Sequence, residues 1–230
     1  NCKSWGKKDF KNIGEEIEVC PFCSSICSFK LKIIKYVWRW DITIPEDWEY
    51  GDWGKIHLNM ERVPLPIVCC NQCNKPVKII PAFIIKGTTL TLPALVFSAF
   101  AYESSGLVWR DMPVKFCAKN DRIAHSTLYR AVHSMGELLL TDENARKLHD
   151  KYLVFLPGWP KNKSLRPHTQ ERENAVRIAL TSLLITLLIN ADFVLSFIRY
   201  IDRVHMFFIK IDKPLTNLYR VKKVKTPDTS

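Results

Sequence analysis

Glycine is scarce in this chain, with 8 among 230 residues, and 13 prolines are spread along it without a repeat. That composition excludes collagen-like and low-complexity architectures. Motifs that carry common chemistries are missing as well. There is no G-x-x-x-x-G-K-[ST] phosphate loop, no G-x-S-x-G nucleophile elbow and no His-x-His nuclease motif. The acids after residue 140 fall mostly at helix caps and helix ends, so they do not form the convergent carboxylate set of a metal-dependent strand-transfer site. The chain is therefore expected not to be an enzyme. One long apolar run, Ile178–Ile198, approaches membrane-spanning length, but it contains Thr181, Ser182, Thr186, Asn190, Asp192 and Ser196. An Asp in a lone span is costly. The run reads as a buried helix of a cytoplasmic protein with no membrane partner, and no signal peptide is read.

What is present is an ordinary globular composition, 47% hydrophobic and 25% charged, with a net charge of +11. The excess points to an anionic partner. Taken along the sequence it is mainly C-terminal: residues 1–50 and 101–150 are neutral, 51–100 carry +3 and 151–230 carry +8.

Eight cysteines carry the strongest pattern. Cys20-Pro-Phe-Cys23 and Cys70-Asn-Gln-Cys73 are two C-x2-C pairs. Thiolates two residues apart on a tight turn can face one ion, and two such turns supply the four sulfurs of a closed, structural Zn2+ site. The 46 residues between the pairs exceed the usual spacer of roughly 15–20. Two alternating segments account for the length. Tyr36, Trp38, Trp40, Ile42 and Ile44 alternate with Val37, Arg39, Asp41 and Thr43, and Ile56, Leu58 and Met60 alternate with Lys55, His57, Asn59 and Glu61. A long antiparallel hairpin through the turn-rich 45–54 segment would bring the two pairs together. Cys27, Cys69 or His57 remain alternatives for a ligand. The hairpin tip, with Trp48, Tyr50 and Trp53 among acids, reads either as a small satellite core or as a protein-binding tip.

Beyond the second pair, Val77–Ile85 reads as a short apolar strand or extended link. Pro93 opens a helix that Ser104-Ser105-Gly106 closes. Asp111 caps a short helix, and Ile123–Leu140 forms a third, with Ala124, Leu128, Ala131, Val132, Met135 and Leu139 on one face. Ser126, Arg130, His133 and Glu137 lie opposite, flanked by Thr127 and Tyr129. The succession resembles a helix-turn-helix, in which the N-terminal side chains of the last helix read base edges. Residues 151–172 form a loop whose Lys161, Lys163 and Arg166 stand beside Trp159 and can touch phosphate. Thr169 caps a helix expected to run to about Asp202, apolar nearly all round, and therefore central to the fold or a homodimer seam over 171–202. Tyr219–Lys225, with Lys222 and Lys223, reads as a basic arm or a solubilising tail.

The segment Val68–Phe83 around Cys70 and Cys73 resembles the second knuckle of small bacterial zinc-ribbon proteins associated with mobile elements. Cys20-Pro-Phe-Cys23 fits their first knuckle, and Ile123-Ala-His-Ser-Thr-Leu-Tyr-Arg130 resembles the start of a transposase-type recognition helix. The resemblance covers roughly residues 18–140. It implies zinc at Cys20, Cys23, Cys70 and Cys73, and sequence-specific contact with double-stranded DNA by Ser126, Thr127, Tyr129 and Arg130, in transposition or transcriptional regulation. The long aromatic and acidic hairpin insert departs from that family. The expectation is thus an α+β chain: a zinc-ribbon β domain over 1–88, a helix-turn-helix-like domain over 89–150, and a basic loop, apolar helix and basic tail over 151–230. Its function is expected to be zinc-stabilised DNA binding, or alternatively that of an adaptor binding protein through the Trp-rich tip.

Overall fold

The computed structural model describes residues 5–47, 53–81, 83–85, 88–118, 121–144, 147, 169–189, 206 and 220–223. The architecture is α+β, and the chain packs as two units that interleave in sequence. The first comprises Asn1–Trp40, Met60–Thr89 and Thr216–Ser230, and the second Asp41–Asn59 and Leu90–Leu215. The far part of the central hairpin thus belongs with the helices, and the C-terminal tail with the cysteine pairs.

A sheet of four strands, in the order β1-β2-β3-β4, is built from β1 (Phe29–Thr43), β2 (His57–Cys70), β3 (Pro76–Ile80) and β4 (Arg220–Lys223). Strands β2 and β3 are antiparallel, with Val68 opposite Val77 and Cys69 opposite Pro76. The second cysteine pair is therefore the turn between them. β4 lies antiparallel to β3, with Lys222 opposite Lys78 and Lys223 opposite Val77. The expected basic arm is, over these residues, a sheet strand. β2 extends ten residues past Met60, through Pro64 and Pro66. Residues 63–68 are all buried, which is what a strand covered on both faces requires.

The core of the first unit gathers Trp5, Phe10, Ile13, Phe29, Val63, Leu65, Val68, Val77 and Ile79 around the buried Cys20 and Cys70. Trp5 stands edge-on to Phe10 and donates its indole N–H to the Pro64 carbonyl at 2.7 Å. Buried aromatic N–H groups need such a partner. β1 does not keep the expected strict alternation. Its covered positions are Phe29, Leu31, Ile34, Val37 and Trp40, drawn from both faces of the strand, and Tyr36 and Trp38 are left exposed.

The second unit includes the helices α1 (Leu92–Ser105), α2 (Met112–Phe116), α3 (His125–Thr141) and α4 (Gln170–Ile189). Thr91 caps α1, accepting from the Ala94 amide at 3.3 Å while donating to the buried Asp41 carboxylate at 2.7 Å. Gly106, with φ 66°, closes α1 in the left-handed region that glycine adopts without strain. Residues 94–99 are buried without interruption, so the helix enclosed on all sides is α1. By contrast α4, expected in that role, exposes Ile178 and Arg177 while burying Ala175, Val176, Ala179, Leu180, Leu183 and Leu184. The remainder of its expected length lies outside the described residues. Among the described residues, no helix is long and apolar enough to cross a membrane.

Candidate metal centre

The two cysteine pairs fold into the same loop twice. In the first, the Ser24 amide donates to the Cys20 carbonyl at 2.9 Å and the Cys20 amide to the Ser25 carbonyl at 3.0 Å. In the second, the Asn74 amide donates to the Cys70 carbonyl at 2.9 Å and the Cys70 amide to the Lys75 carbonyl at 3.2 Å. Ser24 and Asn74 both have φ 56°, and they are the only non-glycine residues in the left-handed region among those described. A non-glycine residue in that region is uncommon. The turn must tighten here to swing the second cysteine of each pair back toward the first.

Sheet pairing and one side-chain clasp bring the loops together. The Asn71 amide donates to the Ser28 carbonyl at 3.1 Å, and the Asn71 side-chain amide to the Ser28 hydroxyl. The Lys75 ammonium sits 5.3 Å from the Phe22 ring centroid. The sulfurs of Cys20, Cys23, Cys70 and Cys73 consequently all lie within 4.8 Å of one another, with Cys20 to Cys73 at 3.8 Å and Cys23 to Cys70 at 3.9 Å. Zinc–thiolate bonds near 2.3 Å in a tetrahedron put sulfurs about 3.8 Å apart. The set can hold a metal ion, and the donor atoms, count and spacing fit that geometry.

The four thiols of the cluster are not held alike. Amide donation from Cys73 lowers the Cys70 thiol to about 6, and Ser25 hydrogen bonds lower that of Cys23. Cys73 is pulled down by the Lys75 amide, yet burial and the neighbouring cysteines outweigh this and push it up to about 12. The sulfurs hold protons against one another, and a divalent ion bound there would let all four be thiolate together. Cys27 is a fifth sulfur, 3.1 Å from Cys70. Its hydrogen bond to Cys70 is the first cause of a thiol raised to about 11. Cys27 thus lies outside the group of four but within hydrogen-bond reach of Cys70, the position of an outer partner that orients a ligand.

The remaining ligand alternatives fall away from the cluster. Cys69 faces Pro76 in the β2–β3 ladder, and His57 is an exposed residue at the start of β2 in the second unit. Neither belongs to the group of four. Of the expected DNA-facing residues on α3, Arg130 is exposed, with its Nε donating to the Ser126 carbonyl at 3.1 Å, and Ser126 and Thr127 are half-buried. Tyr129 and His133 are engaged within the unit. Both bind the Glu173 carboxylate of α4, at 3.1 and 3.0 Å, and Tyr129 stands edge-on to Trp109, which stacks on Tyr102. Burial first, then the Glu173 charge, raises the Tyr129 phenol. The α2–α3 connection spans residues 117–124, longer than the three or four residues of a helix-turn-helix. Lys161, Lys163 and Arg166 lie outside the described residues, as do Trp48 and Tyr50 of the hairpin tip. Lys222 and Lys223 are in β4.

Charge follows the units more sharply than the sequence order. The residues of the first unit include 16 Lys and Arg against 6 Asp and Glu, net +10, whereas the second unit has 18 against 17, net +1. Consecutive blocks of sequence do not follow this partition, because the acidic hairpin end and the basic tail belong to different units. No protein-family model matches the chain, and neither a curated protein nor a solved structure matches it.

Proposed function

We propose that this chain is a zinc-stapled DNA-binding protein in which Cys20, Cys23, Cys70 and Cys73 hold one structural Zn2+ and the basic first unit provides most of the contact with the polyanion. The observation that carries the reading is the coincidence of the four-sulfur cluster with the unit that bears +10 of the +11 net charge. A closed tetrathiolate site has no open coordination position, so its part is architectural. It ties the loop before β1 to the turn between β2 and β3 and holds a cationic sheet rigid. Arg130 of α3 supplies a second, exposed cation suited to a guanine edge.

The test is a duplex-binding titration with metal-loaded full-length protein between about 50 and 200 mM salt, where phosphate neutralisation makes affinity fall by orders of magnitude. We expect one zinc per chain by elemental analysis and a steep, linear fall of log affinity with log salt. We further expect Arg130→Ala to reduce preference between duplex sequences while leaving that slope nearly intact. Absence of duplex binding in dilute buffer would sink the proposal.

A further inference from the structure

We infer that the outward side of β1 in the first unit is a stacking platform for single-stranded nucleic acid, an inference that rests on the nucleic-acid reading above and narrows its ligand. β1 is an edge strand of the sheet. Its residues 30–39 contain Lys30, Lys32, Lys35 and Arg39 and no acid. The three lysines are exposed. Between these cations stand Tyr36, 49% exposed, and Trp38, 59% exposed. From β2, the exposed Arg62 lays its guanidinium carbon 4.0 Å from the Tyr36 ring centroid. Arg39 donates to the Trp38 carbonyl at 2.8 Å.

Lysines on an edge strand have an ordinary explanation, since they discourage pairing with other chains. That explanation does not require aromatic rings among them. A globular chain of this composition buries its large aromatics, as Trp5, Trp40 and Phe29 are buried here. Tyr36 and Trp38 fall on one face of β1 with the exposed Lys30 and Lys32, and both rings are left exposed there. Two residues apart on a strand, they are separated by about 6.6 Å, a separation that suits bases splayed from a strand. The stretch from Lys30 to Trp38 is about 26 Å long, enough for a short oligonucleotide. Cations tracking a backbone with rings that accept bases is the arrangement by which proteins bind single strands without reading sequence. A duplex keeps its base faces stacked inside, so it can use the lysines but not the rings.

The experiment is fluorescence anisotropy with zinc-loaded full-length protein and labelled oligo(dT), oligo(U) and a mixed-sequence duplex of equal phosphate number. It compares wild type, the double variant Tyr36→Ala with Trp38→Ala, its conservative counterpart Tyr36→Phe with Trp38→Phe, and Lys32→Ala with Lys35→Ala. We expect the alanine aromatic pair to weaken single-strand binding at least tenfold, to leave duplex affinity within twofold, and to be rescued by the phenylalanine pair. The lysine pair should weaken both ligands and flatten the salt dependence. Binding of either oligo(dT) or oligo(U) sustains the inference, and the preferred one names the polymer. Unchanged single-strand affinity in the aromatic variants overturns the platform while duplex binding preserves the broader reading. Equal loss of duplex binding also overturns it, because it would mean groove or phosphate contact rather than stacking. A dimer that dissolves on removing Trp38 would overturn it too, by assigning the surface to a second copy. Failure to bind any of the three polymers would remove both proposals together.

Discussion

Cys27 and Cys70 show how neighbouring sulfurs of one cluster can take different parts. Their Sγ atoms are 3.1 Å apart, closer than two thiolates on one tetrahedral ion stand. The Cys73 amide lowers the Cys70 thiol, whereas the hydrogen bond with Cys70 raises that of Cys27. The expected outcome is therefore asymmetric. Cys70→Ser should abolish stoichiometric metal binding, whereas Cys27→Ser should keep one metal per chain with affinity weakened by about 10- to 100-fold, as loss of an outer hydrogen bond to a ligand does. Cobalt substitution checks this, because a tetrathiolate spectrum should survive in Cys27→Ser and vanish in Cys70→Ser. A three-sulfur spectrum in Cys27→Ser would instead make Cys27 a ligand. The four-sulfur grouping was legible from two C-x2-C pairs, because ligand spacing is a local constraint. The part of Cys27 was not, since it depends on how β1 leaves the first loop. Asn74 carried a weak signal, as asparagine tolerates the left-handed region, but Ser24 at the same φ carried almost none.

Gly136 governs the close approach of α3 and α4. A Cβ built there would lie 2.6 Å from Val176 Cγ1 and 3.0 Å from the Val176 carbonyl oxygen. Alanine ordinarily helps a helix over glycine by about 1 kcal/mol, but a β-branched side chain has few rotamers with which to yield. Overpacking of this kind costs about 1–3 kcal/mol. Gly136→Ala should thus be neutral to destabilising by about 2 kcal/mol, and Gly136→Val worse, read by chemical denaturation followed at the helical CD band. The adjacent polar contacts explain why separation of the helices would be felt: Arg172 forms a two-pronged pair with Glu137 at 2.8 and 2.5 Å, and Glu173 joins Tyr129 and His133. Helices were the more legible elements. Pro93, Gly106 and Thr169 mark the ends of α1 and α4 by backbone chemistry that acts within a few residues, whereas Asp111 stands at the start of α2 without a side-chain capping bond. The polar face of α3 was expected to be open, and instead Tyr129, His133 and Glu137 meet α4, because spacing along one helix cannot report what a segment forty residues away will cover. The length of β2 was hidden by Pro64 and Pro66, which usually speak against a central strand.

At the scale of the whole molecule, the four-cysteine cluster and the helical core reside in different units. Cys20 and Cys70 are themselves members of the first unit's core, buried with Phe29, Val63 and Val77. The second unit's α1, α3 and α4 draw instead on their own buried side chains, including Leu95, Phe97, Leu128, Leu139, Leu180 and Leu183. Removing the ion should therefore act unequally. Without a cation the sulfurs must re-protonate within 4.8 Å of one another, and the loops that close the sheet lose what joins them. A strong chelator should unfold the first unit while most of the helical CD signal remains, and thermal melting should change from the loaded protein's behaviour to a low transition followed by a high one. Amide exchange should place the newly unprotected residues in 20–31 and 63–80, with α1 and α3 still protected. Titrating zinc back should restore the lower transition at one ion per chain. Loss of helix and sheet together at a single chelator-dependent step would mean that the sulfur cage supports both cores, and the assignment of the ion to the first unit alone would then be wrong.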